Sequence, residues 1–400
     1  MRQLFFALLY HLATEKKPGG SMKFRCEKSA LEKAISKIDT IILSRDSKSI
    51  YSNVLLTVSD KTLYLTASDN ENIVRISLPV ENAVNGEVLI NARLSFDIAR
   101  KIVSKDIAVE VEEKEVAAEG QKGYLVRIYG SGELSAKYQI PGIVADQFST
   151  LELERKDTLT EIDSDTLLEM IRKTMYSISQ EDNRYIFSGL CFIFEENNLT
   201  LVGTDGRRLA AITRKLNTPV RFVHEGDIVV HHRALREMLR VLEENETAYL
   251  AVEQREIYLR CGDAEMKSRL LEGRFPEYKK VIPSTNPIEF RIRREDFISA
   301  LEQIVVVSAP PGHTIEMNIK SGLLEFKAAT RDGGDARASL AIAYEGQEML
   351  VGLNGSFLMD VVRSLDCEEL LFGVSDPAKP VVIRDIKDPD FVALIMPVRL

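Results

Sequence analysis

The sequence is short of the residues and patterns that most chemistry requires. Its four cysteines, Cys26, Cys191, Cys261 and Cys367, lie far apart with no CxxC or Cys/His spacing. That excludes a disulfide framework and a zinc site, and leaves them as small, reduced, apolar residues. Among the five histidines only His231 and His232 are adjacent, and neighbouring side chains point apart on a helix or strand, so they do not converge on a metal. An excess of basic charge is also missing. A net charge of −9 and an isoelectric point near 5.4 exclude a wholly basic nucleic-acid binder, so any DNA contact requires a local basic face.

Long apolar runs are missing as well. The segment "MRQLFFALLYHLATEKKPGGS" carries an apolar run after an arginine, but it is too short to span a bilayer and no small-residue cleavage site follows it. "KKPGGS" reads as a flexible joint before Met22, where strand-like alternation begins. The folded protein is expected to start at Met22, with residues 1–21 an extension. Catalytic motifs are absent in turn. No serine sits in a GxSxG elbow. "RDGGDARAS", from Arg331, joins two strand-like runs instead of leading into a helix, so it reads as a hairpin turn and not a phosphate loop. Asp163 and Asp165 read as charges at a helix N-terminus.

What is present is an internal repeat. "CEKSALEKAI" from Cys26, "IDSDTLLEMI" from Ile162 and "IRREDFISAL" from Ile292 align without gaps, about 130 residues apart. In each, a strand residue leads through a short polar stretch into apolar positions at helical spacing: Leu31, Ala34, Ile35; Leu167, Met170, Ile171; Phe297, Ala300, Leu301. A second element repeats in "INARLSFDIARKI", "VHHRALREMLRVL" and "LNGSFLMDVVRSL". Its acids at Asp97, Glu237 and Asp360 each stand three residues before an arginine, Arg100, Arg240 and Arg363, the spacing of a surface ion pair on a helix.

The remaining segments alternate with period two, as in "NVLLTVSDKTLYLTAS", and polar pairs at Asp60-Lys61, Asn197-Asn198 and Ser321-Gly322 punctuate them as hairpins. "LELERKDTLTE" and the proline-containing "VIPSTNPIE" separate the units. The fold class is α+β: three repeated domains of two helices on antiparallel sheets, at residues 22–157, 158–287 and 288–400. Lys28, Lys33, Lys37, Arg93, Arg100, Lys101, Arg172, Lys173, Arg233, Arg236 and Arg240 gather on the repeated helices of an acidic chain. This is either a solvated face or, if the helices point one way, a basic lining. A hydrolase whose carboxylates converge between domains, and a scaffold that does not bind DNA, are the rival classes at this point.

Three stretches together resemble one family. "GTDGRRLA" (Gly203–Ala210), "EGRFPEYKKVIP" (Glu272–Pro283) and "LIMPVRL" (Leu394–Leu400) are similar to the bacterial DNA polymerase III beta subunit, the sliding clamp of replication, and "MKFRCEKSAL" at Met22 is similar to that family's start. The resemblance implies the DNA clamp fold, closed head to tail by a homodimer into a ring with helices lining the hole. It implies a non-catalytic cytoplasmic processivity factor, without cofactor, metal or membrane. Its partners would be duplex DNA, the polymerase III catalytic subunit, the clamp loader and other proteins carrying a clamp-binding motif.

By position, the resemblance places DNA contacts at Arg45, Arg93, Gln180 and Tyr185. It places a peptide-binding pocket at Arg184, Phe187, Thr204, Arg207, Arg208, Leu209, Pro283, Leu394, Met396, Pro397, Val398 and Arg399, with Arg208 or Arg399 at its rim. Val306 and Val307, in "IVVVSA", are expected at the dimer interface. Ile186, Arg207 and Val398 depart from the family's usual residues, which bears on one DNA contact and on partner preference.

Overall fold

In the computed structural model the described residues are 21–42, 49–115, 122–132, 136–146, 148, 158–179, 182–222, 224–308, 313–329 and 334–400. The extension at 1–20 lies outside them. Both repeated elements form helices in all three copies: α1 (Lys28–Ile38), α2 (Ala92–Lys101), α3 (Ser164–Thr174), α4 (His232–Val241), α5 (Arg294–Val305) and α6 (Gly355–Arg363). Their starts are written into the chain. Asn91, Asp163 and Asn354 each accept a hydrogen bond from the amide three residues on, satisfying a donor that the first turn leaves free.

The apolar triplets read from the sequence are all buried: Leu31, Ala34 and Ile35 in α1, Leu167, Met170 and Ile171 in α3, and Phe297, Ala300 and Leu301 in α5. Each large side chain withdrawn from water in this way contributes roughly 1.5–3 kcal/mol. The expected i, i+3 ion pairs are only partly formed. Arg100 lies 3.7 Å from Asp97 but 2.8 Å from Asp39. In the third copy Asp360 pairs with Arg208 and Arg363 with Glu302 instead. Packing between elements offers shorter contacts than the helix surface does.

Hairpins appear where the polar pairs fall. Asp60 and Lys61 both have positive φ between strands Asn53–Ser59 and Thr62–Ser68. Ser321-Gly322 joins Thr314–Lys320 to Leu323–Ala329. The middle turn lies one residue earlier than expected, at Glu196-Asn197, because Asn198 already pairs with Glu195. Strands Leu323–Ala329 and Asp335–Ala341 pair antiparallel around "RDGGDARAS", whose tip lies outside the described residues.

Close packing gathers the chain into two units: one of residues 1–159 with 240–269, and one of 160–239 with 270–400. In the first, the sheet runs Thr247–Glu253, Glu256–Cys261, Ala264–Arg269, Asn72–Pro79, Thr62–Ser68, Asn53–Ser59, Gly86–Asn91, Lys137–Ile143, Lys122–Gly130, Asp106–Glu115, Met22–Glu27, Glu81–Val84. The join between repeats is therefore a strand pair, Ala264 opposite Ile76 through Ser268 opposite Asn72. Arg75 and Glu265 form an ion pair across it. Nearby, Lys37 of α1 is 6% exposed and held by Glu243 and Asp263.

In the second unit an eight-stranded sheet runs Ile228–His231, Gly189–Glu195, Asn198–Thr204, Arg208–Lys215, Asp388–Ile395, Val381–Asp385, Glu369–Val374, Ile288–Arg293. The second and third repeats meet in the middle of this sheet, where Arg208–Lys215 pairs with Asp388–Ile395. A four-stranded sheet, Asp335–Ala341, Leu323–Ala329, Thr314–Lys320, Met349–Asn354, completes the unit. Helix α3 packs on Arg208–Lys215. Beside it Lys173 and Arg214 share Glu169 and Asp388, with Lys173 to Glu169 at 2.6 Å and Arg214 to Asp388 at 2.5 Å.

Burial pushes Glu169 and Asp388 up, but hydrogen bonds from Arg214 and Lys173 outweigh it and hold both carboxyls below their ordinary values. Their contribution is complete above the ordinary carboxylate range, about pH 4, and is lost as pH falls through the lowered values. Asp388→Asn is expected to lower stability at pH 7 by about 3 kcal/mol, since it leaves buried cations short of a partner. Urea unfolding at pH 7 and pH 3 checks this: the substitution should matter less at the lower pH, where the unfolded carboxyl is already largely protonated. An equal loss at both would remove the cluster's role.

Candidate functional site

The "GTDGRRLA" stretch is a turn locked by its own side chains. The Asp205 carboxylate accepts the amides of Arg207 at 2.8 Å and Arg208 at 3.0 Å. Thr204 Oγ1 accepts the Gly206 amide at 3.0 Å and donates to the Arg208 carbonyl at 2.6 Å. Such side-chain closure of the backbone is what Asp and Thr bring to turns. Gly206 supplies the positive φ, +83°, that the reversal needs.

Arg208 then turns inward. Its guanidinium bonds Asp205 at 3.1 Å and Asp360 of α6 at 2.5 Å. It lies 4.3 Å from the Phe357 ring centroid and 5.7 Å from that of Tyr176, and is 9% exposed. It is therefore not the free rim donor that the sequence suggested. Two paired acids and two rings use its planar fork to anchor the turn to α6. Arg399 and Arg207 remain exposed.

Strand pairing builds an apolar face from the turn outward. Val229, Cys191, Val202, Ala211 and Val392 stand opposite one another across five strands, and Leu209, Leu394 and Val382 form a second row beside them. Because side chains alternate along a strand, one register puts both rows on one face. Leu271 and Phe275 bury against these rows, and Ile186, Ile193, Tyr278 and Ile282 are half-buried around them. The Phe275 amide is tied to Asp227 at 2.7 Å. Burial, with some help from Asp227, pushes the Cys191 thiol up to about 12, so it is an inert part of the floor.

The chain end continues from the strand that carries Leu394. After Ile395 the Met396 amide donates to the Arg207 carbonyl at 2.8 Å and the Val398 amide to the Gly352 carbonyl at 2.9 Å. Met396 is 39% exposed although its neighbours Leu394 and Ile395 are buried. An exposed methionine is an adaptable apolar contact, free to meet a ligand.

The structure brings Thr204, Arg207, Arg208, Leu209, Leu394 and Met396 together by strand pairing and backbone bonds. Thr204 and Leu209 are buried, while Phe187, Pro283, Pro397 and Val398 are half-buried. Sequence reasoning missed Phe275, Tyr278, Ile282 and Val382. The first three lie inside the "EGRFPEYKKVIP" stretch from which only Pro283 was taken. Val382 is legible only from its register with Leu394.

Of the expected DNA contacts, Arg45 and Gln180 lie outside the described residues; so does the side chain of Arg184, which was expected in the pocket. Arg93, at the start of α2, and Tyr185 are exposed. Lys37 and Lys173 leave the basic set, being buried in ion pairs. Arg93, Lys101, Arg172, Arg233, Arg236 and Arg240 stay exposed. Among the described residues no three histidines, cysteines or carboxylates converge to hold a metal.

Arg208→Ala is expected to destabilise the chain by about 2 kcal/mol, since it removes charged hydrogen bonds to two acids and the packing of the guanidinium on two rings. Arg208→Lys should recover less than half of that, because an ammonium cannot bond both acids in a fixed plane and stack. Thermal and urea unfolding of the two variants provide the comparison. Full recovery by lysine would reduce Arg208 to a simple charge.

Comparison with known proteins places this geometry. Family models of the DNA polymerase III beta subunit match in order: the N-terminal domain over residues 22–152, the central domain over 161–277 and the C-terminal domain over 279–399. The beta sliding clamp of Chlamydia muridarum is 26% identical over 379 residues, covering 95% of this chain and 99% of that protein. That of Proteus mirabilis is 28% identical over 385 residues, covering 95% and 100%. A crystal structure of the Pseudomonas aeruginosa DnaN sliding clamp bound to griselimycin matches with a TM-score of 0.86 at 25% identity over 95% of this chain and all of that one. The C. crescentus beta sliding clamp, solved with PEG bound, matches equally, with a TM-score of 0.86 at 25% identity and the same coverage. With its three domain models in register along nearly the whole chain, the protein belongs to the DNA polymerase III beta subunit family, the bacterial sliding clamps.

Proposed function

We propose that this chain is a non-catalytic processivity factor of the replicative DNA polymerase, a ring-forming clamp that slides on duplex DNA and tethers its partners through the apolar face beside the chain end. The carrying observation is the exposed Met396 held next to a buried apolar sheet face in a chain that belongs to the sliding-clamp family. In this reading the folded repeats are domains at 22–157, 158–287 and 288–400. Two copies close head to tail, and the protein works in the cytoplasm on the chromosome. Among the described residues no helix is long and apolar enough to cross a membrane.

Ring closure by two copies is supported by Val306. It is a β-branched residue just past the end of α5, 85% exposed in the single chain. Covering it and Val307 with a second copy removes apolar surface from water. Val306→Glu with Val307→Glu should convert a dimer to monomers by native mass measurement. Dimers that survive both charges would move the interface elsewhere.

Sliding requires contacts to phosphate and not to bases, and the exposed arginines of the helices suit that role. Binding is expected to be independent of sequence and steeply salt-dependent, with rings retained on circular DNA and released from linear ends. Arg45→Ala with Arg93→Ala should weaken all sequences alike and reduce the salt slope by about 1 for each phosphate no longer neutralised. Sequence preference, or equal retention on linear and circular DNA, would contradict a sliding ring.

The apolar face fits a short segment rich in glutamine, leucine and phenylalanine, of the kind borne by the polymerase catalytic subunit, the clamp loader and other clamp-binding proteins. A few buried anchors then carry most of the affinity. Leu209 is 4% exposed and Met396 39%, so Met396→Ala tests the site with less damage to the core than Leu209→Ala. It should weaken such a peptide by about tenfold to a hundredfold in a fluorescence titration, leaving native mass and circular-DNA retention unchanged. Unaltered peptide affinity would move the pocket.

A further inference from the structure

Gly352 stands in the middle of strand Met349–Asn354, the edge of the four-stranded sheet. A glycine inside a strand forfeits packing and backbone order, and it persists where another backbone comes close. That is the case here. A Cβ at Gly352 would lie 2.6 Å from the Val398 carbonyl oxygen and 2.7 and 2.9 Å from Leu400 Cδ2 and Cγ. The first obstacle is backbone and cannot rotate away. The Gly352 carbonyl, facing outward from the edge, accepts the Val398 amide at 2.9 Å.

The chain end is thus held at two points. The Arg207 carbonyl takes the Met396 amide and the Gly352 carbonyl takes the Val398 amide. Pro397, between them, has no amide to place and a fixed φ. No backbone donor of Met396–Val398 is left over, and the segment has little freedom between its clamps. Met396, half-exposed, sits at the first of those clamps. Leu400, 62% exposed, crosses the bare Cα of Gly352. The two clamps come from different sheets of the second unit, so the tail also covers an otherwise open edge.

We propose that Gly352 is a positioning residue of the peptide site: its missing side chain lets the tail close on the strand edge, and the closed tail holds Met396 in the one arrangement that accepts a peptide. This rests on the reading of the apolar face as a peptide pocket. Gly352 touches no peptide; it acts through the tail. In a mobile tail only a fraction of molecules would present Met396 correctly, and apparent affinity falls by that fraction.

The test is made on the full chain with a fluorescein-labelled peptide of glutamine, leucine and phenylalanine, alongside amide hydrogen exchange. In Gly352→Ala the Val398 amide should exchange at least tenfold faster and peptide affinity should fall at least tenfold. Exchange of the Thr314–Lys320 amides and the native mass should be unchanged. Val398→Pro removes the donor to Gly352 without touching the strand, and should lose at least tenfold more affinity than Val398→Ala, which shortens the side chain and keeps the amide. That comparison decides the matter if Gly352→Ala loosens the whole sheet. Loss of Val398 protection with full affinity, or loss of affinity with Val398 still protected, overturns the proposal, as does Val398→Pro binding as tightly as Val398→Ala. Failure of the unsubstituted chain to bind the peptide is a different result: it overturns the pocket itself, while exchange at Val398 still reports whether Gly352 seats the tail.

Discussion

An unpaired strand edge is the constraint on which this structure turns. Each repeat presents strands whose outer amides and carbonyls need partners, and leaving them open costs stability and invites aggregation. The chain answers by pairing one repeat with the next. Ala264–Arg269 joins Asn72–Pro79 in the first unit, and Arg208–Lys215 joins Asp388–Ile395 in the second. These two seams explain why close packing yields two units from three repeats: each seam makes one continuous sheet out of strands from two different copies.

The seams also decide what happens to charge. Residues brought face to face there are long and ionic, and their cations are largely withdrawn from water against matched acids: Lys37 with Glu243 and Asp263, Arg75 with Glu265, Lys173 and Arg214 with Glu169 and Asp388, Arg208 with Asp205 and Asp360. Such sets add little net stability over apolar packing, but a misaligned seam would strand a charge, which is costly. They therefore favour one register. Two lysines that looked like part of a basic helix face are taken up inside these sets, which leaves that face to residues such as Arg93, Arg172 and Arg236.

The second seam makes the candidate site. Leu209 and Leu394 are far apart in the numbering and become direct neighbours only because two repeats share a sheet. The apolar face draws on several strands, the locked turn leads into one of them and the tail leaves another, and each is held by a different device: register, side-chain closure, and two backbone hydrogen bonds. A site assembled this way keeps its floor rigid while leaving a few groups, Met396 and Arg399 among them, at the surface. That combination suits the proposed capture of short peptide segments, since the floor is rigid and the rim adapts.

Helix positions and buried stripes were legible in the sequence because they depend on spacing within about ten residues, as Leu167, Met170 and Ile171 show. So was the hairpin at Asp60-Lys61, which depends on local backbone chemistry. By resemblance alone the three motifs supplied most of the residues from which the pocket is proposed. What only the tertiary structure decided was pairing across long separations. It turned Arg208 from a rim donor into a buried anchor, removed Lys37 and Lys173 from the basic face, and brought Val382 to Leu394. It also set Gly352 under Val398, which no spacing rule foretells. The reason is physical: propensity and periodicity act along the chain, whereas register, desolvation and the match of a buried charge to its partner are set by whichever strand arrives alongside.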